Sequence, residues 1–357
     1  MRYGQAASDW RQALPLGNGR MAQMVFGGAA DEQIFLDECS FWSGKGEPEE
    51  NVRGNPGLVA QIRKALFARD YASAKSLTEQ MCGVKGNYGT NLPAGVLHID
   101  MPDAAQFSRY ERSLDLYDGL ASARFEADGA RFTRRCFCSH PDDVFALRVE
   151  TDKPGALNLD VYYRENDVPA SRGCAGGDLV FDIRALETRH SDGTCGVRLR
   201  GMARILHTGG ALLVQNETLT LRGADDAVIL LSTYTDFESP DFQRICLEKL
   251  DAAARQGWDG LLARHLLDQN ARIGAVDLTL SGGRPDLPTD ERLALVRAGG
   301  EDPGLFALMY QYGRYLLNAA SRHDSPLPAH LQGIWNDNMA CRIQWSNSYT
   351  IDTNTEI

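Results

Sequence analysis

Leu157-Asn158-Leu159-Asp160-Val161-Tyr162-Tyr163 sets apolar side chains two apart for its first five positions, the period of a strand with one wet face. Val197 and Leu199 alternate with Arg198 and Arg200 in the same way, and Leu219 and Leu221 resume the pattern after an Asn216-Glu217 turn. Ala227 to Leu231 is apolar at every position, which predicts a central strand buried on both faces. Such text runs from Leu14 to about Thr235, cut by Gly, Asp and Pro turns. Many short strands so punctuated predict an antiparallel β-sandwich rather than βαβ units. Arg134-Arg135 lies inside this text and reads as part of a solvated strand face.

One helical insertion interrupts the strands near residues 55–82. Asn55-Pro56 reads as a cap followed by a first-turn proline, Leu58, Ile62 and Leu66 fall on one stripe, and Tyr71 to Met81 predicts a second helix packed back on the first. From Asp241 the period turns helical, with two helices broken at Gly257. A short apolar strand is expected at Val276 to Leu280, then a helix capped by Thr289 with Asp290 and Glu291 in its first turn. Asp302-Pro303 opens another helix whose stripe is Leu305, Leu308, Met309, Tyr312 and Leu316.

The 357 residues suit two or three domains at roughly 100 to 200 residues each. Hydrophobic residues at 43% and charged residues at 24% exclude a disordered or fibrous chain. The 37 basic and 48 acidic side chains leave a net charge of −11 with no basic stripe, which argues against a nucleic-acid partner. Cys39, Cys82, Cys136, Cys138, Cys174, Cys195, Cys246 and Cys341 are scattered without C-x-x-C spacing, so neither zinc nor another metal is expected. Cys136 and Cys138 share a strand face and read as buried thiols. Met1 to Trp10 lacks an apolar leader core, and no run approaches ~18 apolar residues, so no membrane partner and a reduced, cytoplasmic location are expected.

Two stretches could carry chemistry. Leu327 to Ile357, LPAHLQGIWNDNMACRIQWSNSYTIDTNTEI, crowds Trp, Asn, Asp, Gln, Ser and Thr. Flat rings cover the apolar face of a pyranose, and amides and acids pair with its hydroxyls. An ordered loop with Asn and Asp bonded to nearby backbone fits the same composition. His323 and His330 lie near it without metal-ligand spacing, and Asp337, Asp352 and Glu356 are its carboxylates near the end. The second stretch, Ala13 to Gly28, ALPLGNGRMAQMVFGG, holds neither G-x-G-x-x-G nor a Walker pattern, so Gly17-Asn18-Gly19 reads as a tight turn into a strand. No G-x-S-x-G nucleophile elbow is present.

Four motifs together carry a resemblance: Trp10 with ALPLGNGRMAQMVFGG, LDECSFWSG at Leu36 to Gly44, LPAHLQGIWND at Leu327 to Asp337, and SYTIDTNTEI at Ser348 to Ile357. In this order they resemble glycoside hydrolase family 95, which holds α-L-fucosidases and some α-L-galactosidases. The resemblance implies an N-terminal β-sandwich over 1–240, a helical linker over 241–285, and the first helices of an incomplete (α/α)6 catalytic barrel over 286–357. It implies an inverting exo-glycosidase without cofactor or metal, acting on fucosylated or L-galactosylated oligosaccharides.

The family's His-x-Asn-x-Asn run falls on Thr350, Asp352 and Asn354, of which only Asn354 matches the commonest form. By that match Asn354 and Asp352 hold the attacking water and Thr350 contacts the sugar near the carbon that separates fucose from L-galactose. Trp335 and Trp345 are expected to pack the barrel floor. The family's general-acid Glu and supporting Asp lie downstream of the Asn pair, so the resemblance implies a truncated and inactive chain. Two other classes stay open: a non-catalytic carbohydrate-binding sandwich, and a structural module with a decayed site.

Overall fold

The computed structural model describes residues 1–44, 56–81 and 89–337. Its strands are β1 (Arg2–Tyr3), β2 (Leu14–Gly17), β3 (Met21–Val25), β4 (Asp31–Glu38), β5 (Val96–Asp100), β6 (Phe107–Asp115) and β7 (Leu120–Ala127). They continue with β8 (Ala130–Ser139), β9 (Val144–Thr151), β10 (Leu157–Arg164), β11 (Ala170–Ala175), β12 (Asp178–Arg184), β13 (Arg198–Gln215) and β14 (Thr218–Thr235). Helices α1 (Pro56–Phe67) and α2 (Tyr71–Glu79) form the expected insertion between β4 and β5. Helices α3 (Phe242–Ile273), α4 (Thr289–Arg297) and α5 (Pro303–Ala320) follow the strands.

The antiparallel β domain is therefore present, its strands joined in one curled sheet rather than two separate ones. The order is β1-β6-β7-β8-β9-β14-β10-β5-β4-β3-β2, with β13, β12 and β11 continuing from β14. The pivot is β14. Its residues Thr218–Ala224 pair with β10 and Asp226–Leu231 with β9, while β13 runs along its other edge. Asn216 and Glu217 both adopt positive φ (45° and 65°), the geometry of a tight hairpin turn whose twist matches its strands. The sheet then folds over itself so that β2 packs on β7 and β8.

Two cores result. Ile229 and Leu231 enter the interior of the curl, whereas Val228 and Leu230 meet α3 through Phe242, Cys246, Leu250 and Trp258. This accounts for the apolar run from Ala227 to Leu231, each large side chain contributing roughly 1.5–3 kcal/mol on burial. Gly257, at φ 67° and ψ 175°, kinks α3 where the sequence places a break. Cys136 and Cys138 are buried free thiols.

Several expectations are corrected. Arg134 is 2% exposed and points inward to Glu32 at 2.6 Å, so it does not lie on a solvated face, whereas its neighbour Arg135 is partly exposed and pairs with Glu150. Val276 to Leu280 is not a strand: Val276, Leu278 and Leu280 are exposed, and the Val276 carbonyl accepts from Gln311 and Arg314 of α5 instead of from a ladder. Thr289 does not cap α4, because its hydroxyl accepts the Arg2 amide. Asp302 does cap α5 by accepting from Leu305 N–H, and it also pairs with Arg292 at 2.6 Å. In α5 the buried row is Ala307, Gln311, Tyr315 and Ala319, whereas Met309 is 72% exposed and Leu308, Tyr312 and Leu316 are half-buried. On α1, Leu66 is likewise exposed. Asn55 and Met81's successors to 88 lie outside the described residues.

Candidate active site

Thr350, Asp352, Asn354 and Trp345 lie outside the described residues, as does Glu356. What the structure describes is the ground on which their segment begins. Helix α5 lies along β2: Tyr315 Oη donates to the Pro15 carbonyl at 2.8 Å, and Gly19 N–H donates to Ala319 O at 2.8 Å. A side chain at Gly17 would strike the Ala319 carbonyl at 2.6 Å, so only glycine permits this approach. The Gly17-Asn18-Gly19 stretch is the expected turn: Asn18 Oδ1 accepts from the amides of Arg20 and Met21.

Beyond α5 the chain returns over β2. His330 and Gly333 exchange two backbone hydrogen bonds in a tight turn, with Gly333 at φ 76° and the Trp335 ring occupying the place of its missing side chain. Trp335 is buried, and its indole N–H donates to Leu16 O at 3.0 Å. Ile334 beside it is fully buried. Asn336 donates its backbone N–H to Asp37 Oδ2 and its side-chain amide to Asn91 O, each at 3.0 Å. Asn91 in turn donates to the carbonyls of Glu38 and Phe41, and Asn166 donates to Asp337 O at 2.9 Å. The Trp42 and His330 rings meet edge-on with centroids 6.4 Å apart.

Three of the four sequence motifs thus converge: Leu14–Gly19, Leu36–Trp42 and His330–Asp337. Two of their contacts join residues 299 and 319 positions apart. Asp37, Glu38, Asn91 and Asn166 were not legible as site residues. An Asp-Glu pair at the end of an apolar strand was the available signal for the first two, and nothing local marks the two asparagines.

Burial sets the electrostatics. Asp37 is pushed well above the ordinary carboxylate value by desolvation, offset by the single Asn336 N–H and augmented by Asp337. Its Oδ1 has no hydrogen-bond partner among the described residues. Burial lowers His330 to about 4, so its imidazole is neutral near pH 7. The described joint thus gathers amides, aromatic rings, a neutral imidazole and the carboxyls of Asp37 and Asp337, most of them buried.

Replacing Asp37 by Ala should leave the buried Asn336 N–H without an acceptor, at about 1–3 kcal/mol in urea unfolding and with faster hydrogen exchange at that amide. Asp37→Asn keeps an acceptor and should match wild type at low pH, where both side chains are neutral. The sign with pH is fixed by the upward shift: Asp37's contribution is full below its ordinary value of 3.8 and is lost as pH rises through its shifted one. Asp37→Asn should therefore gain on wild type as pH rises, and a pH-independent difference would show the carboxyl to be ordinary.

Among the described residues, the ligand atoms gathered within 4.8 Å of one another are those of Asp31, His98 and Asp100. They satisfy one another and Tyr162: His98 Nδ1 lies 3.2 Å from Asp31, and the Tyr162 hydroxyl donates to Asp100 at 3.1 Å. This group sits at the far end of β4 from Asp37 and Glu38. A groove of about 910 Å³ beside α4 and α5 is walled mostly by apolar surface, among it Phe306, Met309 and Tyr312, with Gln5, Gln12, Arg112 and Asp290 also lining it, and it is separate from the joint around Asn336.

Comparison with known proteins gives two family matches. Residues 1–240 match the glycosyl hydrolase family 65 N-terminal domain, and residues 257–357 the glycosyl hydrolase family 95 catalytic domain. The chain is 27% identical to Alpha-L-fucosidase 2 of Arabidopsis thaliana over 94% of this chain and 43% of that protein. It is 26% identical to Probable alpha-fucosidase A of Aspergillus niger over 99% of this chain and 46% of that one. The chain thus spans about half the length of the curated relatives it matches. In fold it is similar to a solved structure described as "Putative kojibiose phosphorylase from human microbiome", with a TM-score of 0.54 over 93% of this chain and 43% of that one, at 11% identity.

Proposed function

The chain belongs to the glycoside hydrolases, to the family 65 N-terminal domain group over residues 1–240 and to family 95 over residues 257–357, and from that premise we propose that it forms the front part of an α-L-fucosidase. The carrying observation is the convergence of Leu14–Gly19, Leu36–Trp42 and His330–Asp337. The β domain holds the strand of chain that runs on toward Thr350, Asp352 and Asn354, and so serves as the mount of the site. Residues from 286 onward open an (α/α)6 barrel, a reading supported by the exposed Phe306, Met309 and Leu317 on α5, which await apolar neighbours.

The mechanism proposed is inversion at the anomeric carbon of a terminal α-L-fucosyl or α-L-galactosyl residue. Asn354 and Asp352 hold a water on the face opposite the leaving oxygen, and Thr350 lies against the sugar. An acid must protonate the leaving oxygen across a gap of roughly 6.5–9.5 Å from the base. That acid and the Asp that supports the water are expected beyond Asn354, outside these 357 residues. A second reading, a sugar-binding sandwich without catalysis, has no observation in its favour.

Two measurements test this. The 357-residue chain should show no turnover of a 2-fucosylated oligosaccharide; turnover would mean that the acid is already present. The protein carried to the length of its relatives should release fucose first as the inverted anomer, seen by proton NMR. Release of the retained anomer, or of no fucose, would sink the mechanism or the substrate class respectively.

A further inference from the structure

A second buried cluster lies where the sheet hands the chain to α3. Arg20, in the turn between β2 and β3, directs Nε and Nη2 at Asp143 Oδ1, at 3.0 and 2.9 Å. Its Nη1 faces two more carboxylates, Glu38 Oε1 at 3.6 Å and Glu238 Oε2 at 3.7 Å, neither within hydrogen-bond reach. The Arg20 guanidinium lies over the Tyr234 ring at 4.1 Å, and the Tyr234 hydroxyl donates to Asp143. Lys249 of α3 stands 3.8 Å from Asp143. The thiols of Cys39, Cys138 and Cys246 complete the surroundings, all held protonated by burial.

Two cations here face three carboxyls. With all three ionised, a buried excess of negative charge remains, and desolvation makes it costly. Asp143 is the member with good partners, and Arg20, Tyr234 and Lys249 hold it below the ordinary value. Glu38 and Glu238 share one nitrogen at long range. Glu38 is fixed on β4 by Ser40 N–H and Oγ, whereas Glu238 lies on the turn after β14, three residues before the Asp241 cap of α3, and its side chain is 17% exposed.

We propose that the two glutamates facing Arg20 Nη1 form a pH-sensitive latch that holds the β14–α3 turn on the sheet. With one proton between them the cluster is neutral and the turn is seated. With both ionised, Glu238 is the member free to swing into water, and the turn loosens. The titration behaviour agrees: burial and the facing Glu238 raise Glu38 to about 7 against the pull of Arg20, and burial raises Glu238. For acids raised in this way, stability is full below their ordinary value and is lost as pH rises through the shifted one. Asp143 has the opposite sign, and its contribution is lost only in acid.

The test uses this chain and is independent of its glycosidase reading. Between about pH 6 and about pH 8.5 the wild-type unfolding midpoint should fall relative to that of Glu238→Gln by roughly 2–4 °C. Hydrogen exchange of the amides of residues 236–239 and 241, corrected for intrinsic rates, should rise at least about tenfold with pH in wild type and stay level in the variant. A midpoint difference that does not change with pH, or equal exchange, overturns the latch. Should Glu238→Gln not fold, carbon NMR titration of the two carboxyls in the wild-type chain decides. Two coupled steps, the later above about pH 6, support the latch, and two ordinary glutamate titrations overturn it.

Discussion

Arg134→Met should destabilise the fold by about 3–5 kcal/mol, the range for removing one partner of a buried ion pair. Arg134 Nη1 donates to Glu32 and to Gly28 O, both at 2.6 Å, and Nη2 donates to Ala29 O at 3.3 Å. The guanidinium thus closes the β3–β4 turn onto β8. Without it Glu32, a fully buried side chain, keeps the Gly27 N–H at 2.8 Å as its main donor. Burial already raises Glu32 against the opposing pull of Arg134, so losing the arginine raises it further. A raised acid loses its stabilising contribution as pH climbs, so the defect should be larger at pH 8 than at about pH 5. Glu32→Gln/Arg134→Met should recover part of the loss, because no charge is then stranded. Urea unfolding of the three proteins checks this. A loss below about 1 kcal/mol for Arg134→Met would mean that Glu32 finds water or another donor.

Trp335→Ala should cost a similar amount, about 3–5 kcal/mol, but locally. The ring fills the space over Gly333 and beside Ala320, and its N–H satisfies Leu16 O. Removing it empties the joint between β2 and the returning segment, and the Asn336 amide on Asp37 should then exchange faster than the interior strands. Trp335→Phe keeps most of the packing and loses one hydrogen bond, so about 1 kcal/mol is expected beyond the smaller ring. An alanine variant with an unmoved unfolding midpoint and a still-protected Asn336 amide would refute the view that this joint mounts the site.

The strand text, the helical insertion, the break at Gly257 and the Asp302 cap could be read directly, because each is local: alternation, proline and cap chemistry act over a few residues. The apolar doubling of Ala227 to Leu231 also announced its two buried faces. Val276 to Leu280 misled, since apolar alternation without a partner strand is only an extended loop. Arg134 misled for the converse reason. A charged side chain in a strand is normally wet, and only a carboxylate from β4, 102 positions away, makes burial tolerable.

The site divides along the same line. Motif spelling alone pointed to the Leu14–Gly19, Leu36–Gly44 and Leu327–Asp337 stretches, and to Thr350, Asp352 and Asn354 as candidates. That the first three meet, that Asp37 rather than a nearer acid receives Asn336, and that Glu38 and Glu238 share one arginine were decided by the tertiary structure. Sequence by itself determined which segments are strands or helices and which composition suits a sugar. Only the fold set the charge state of its buried acids, because desolvation and ion pairing depend on neighbours that the curling of β14 brings together.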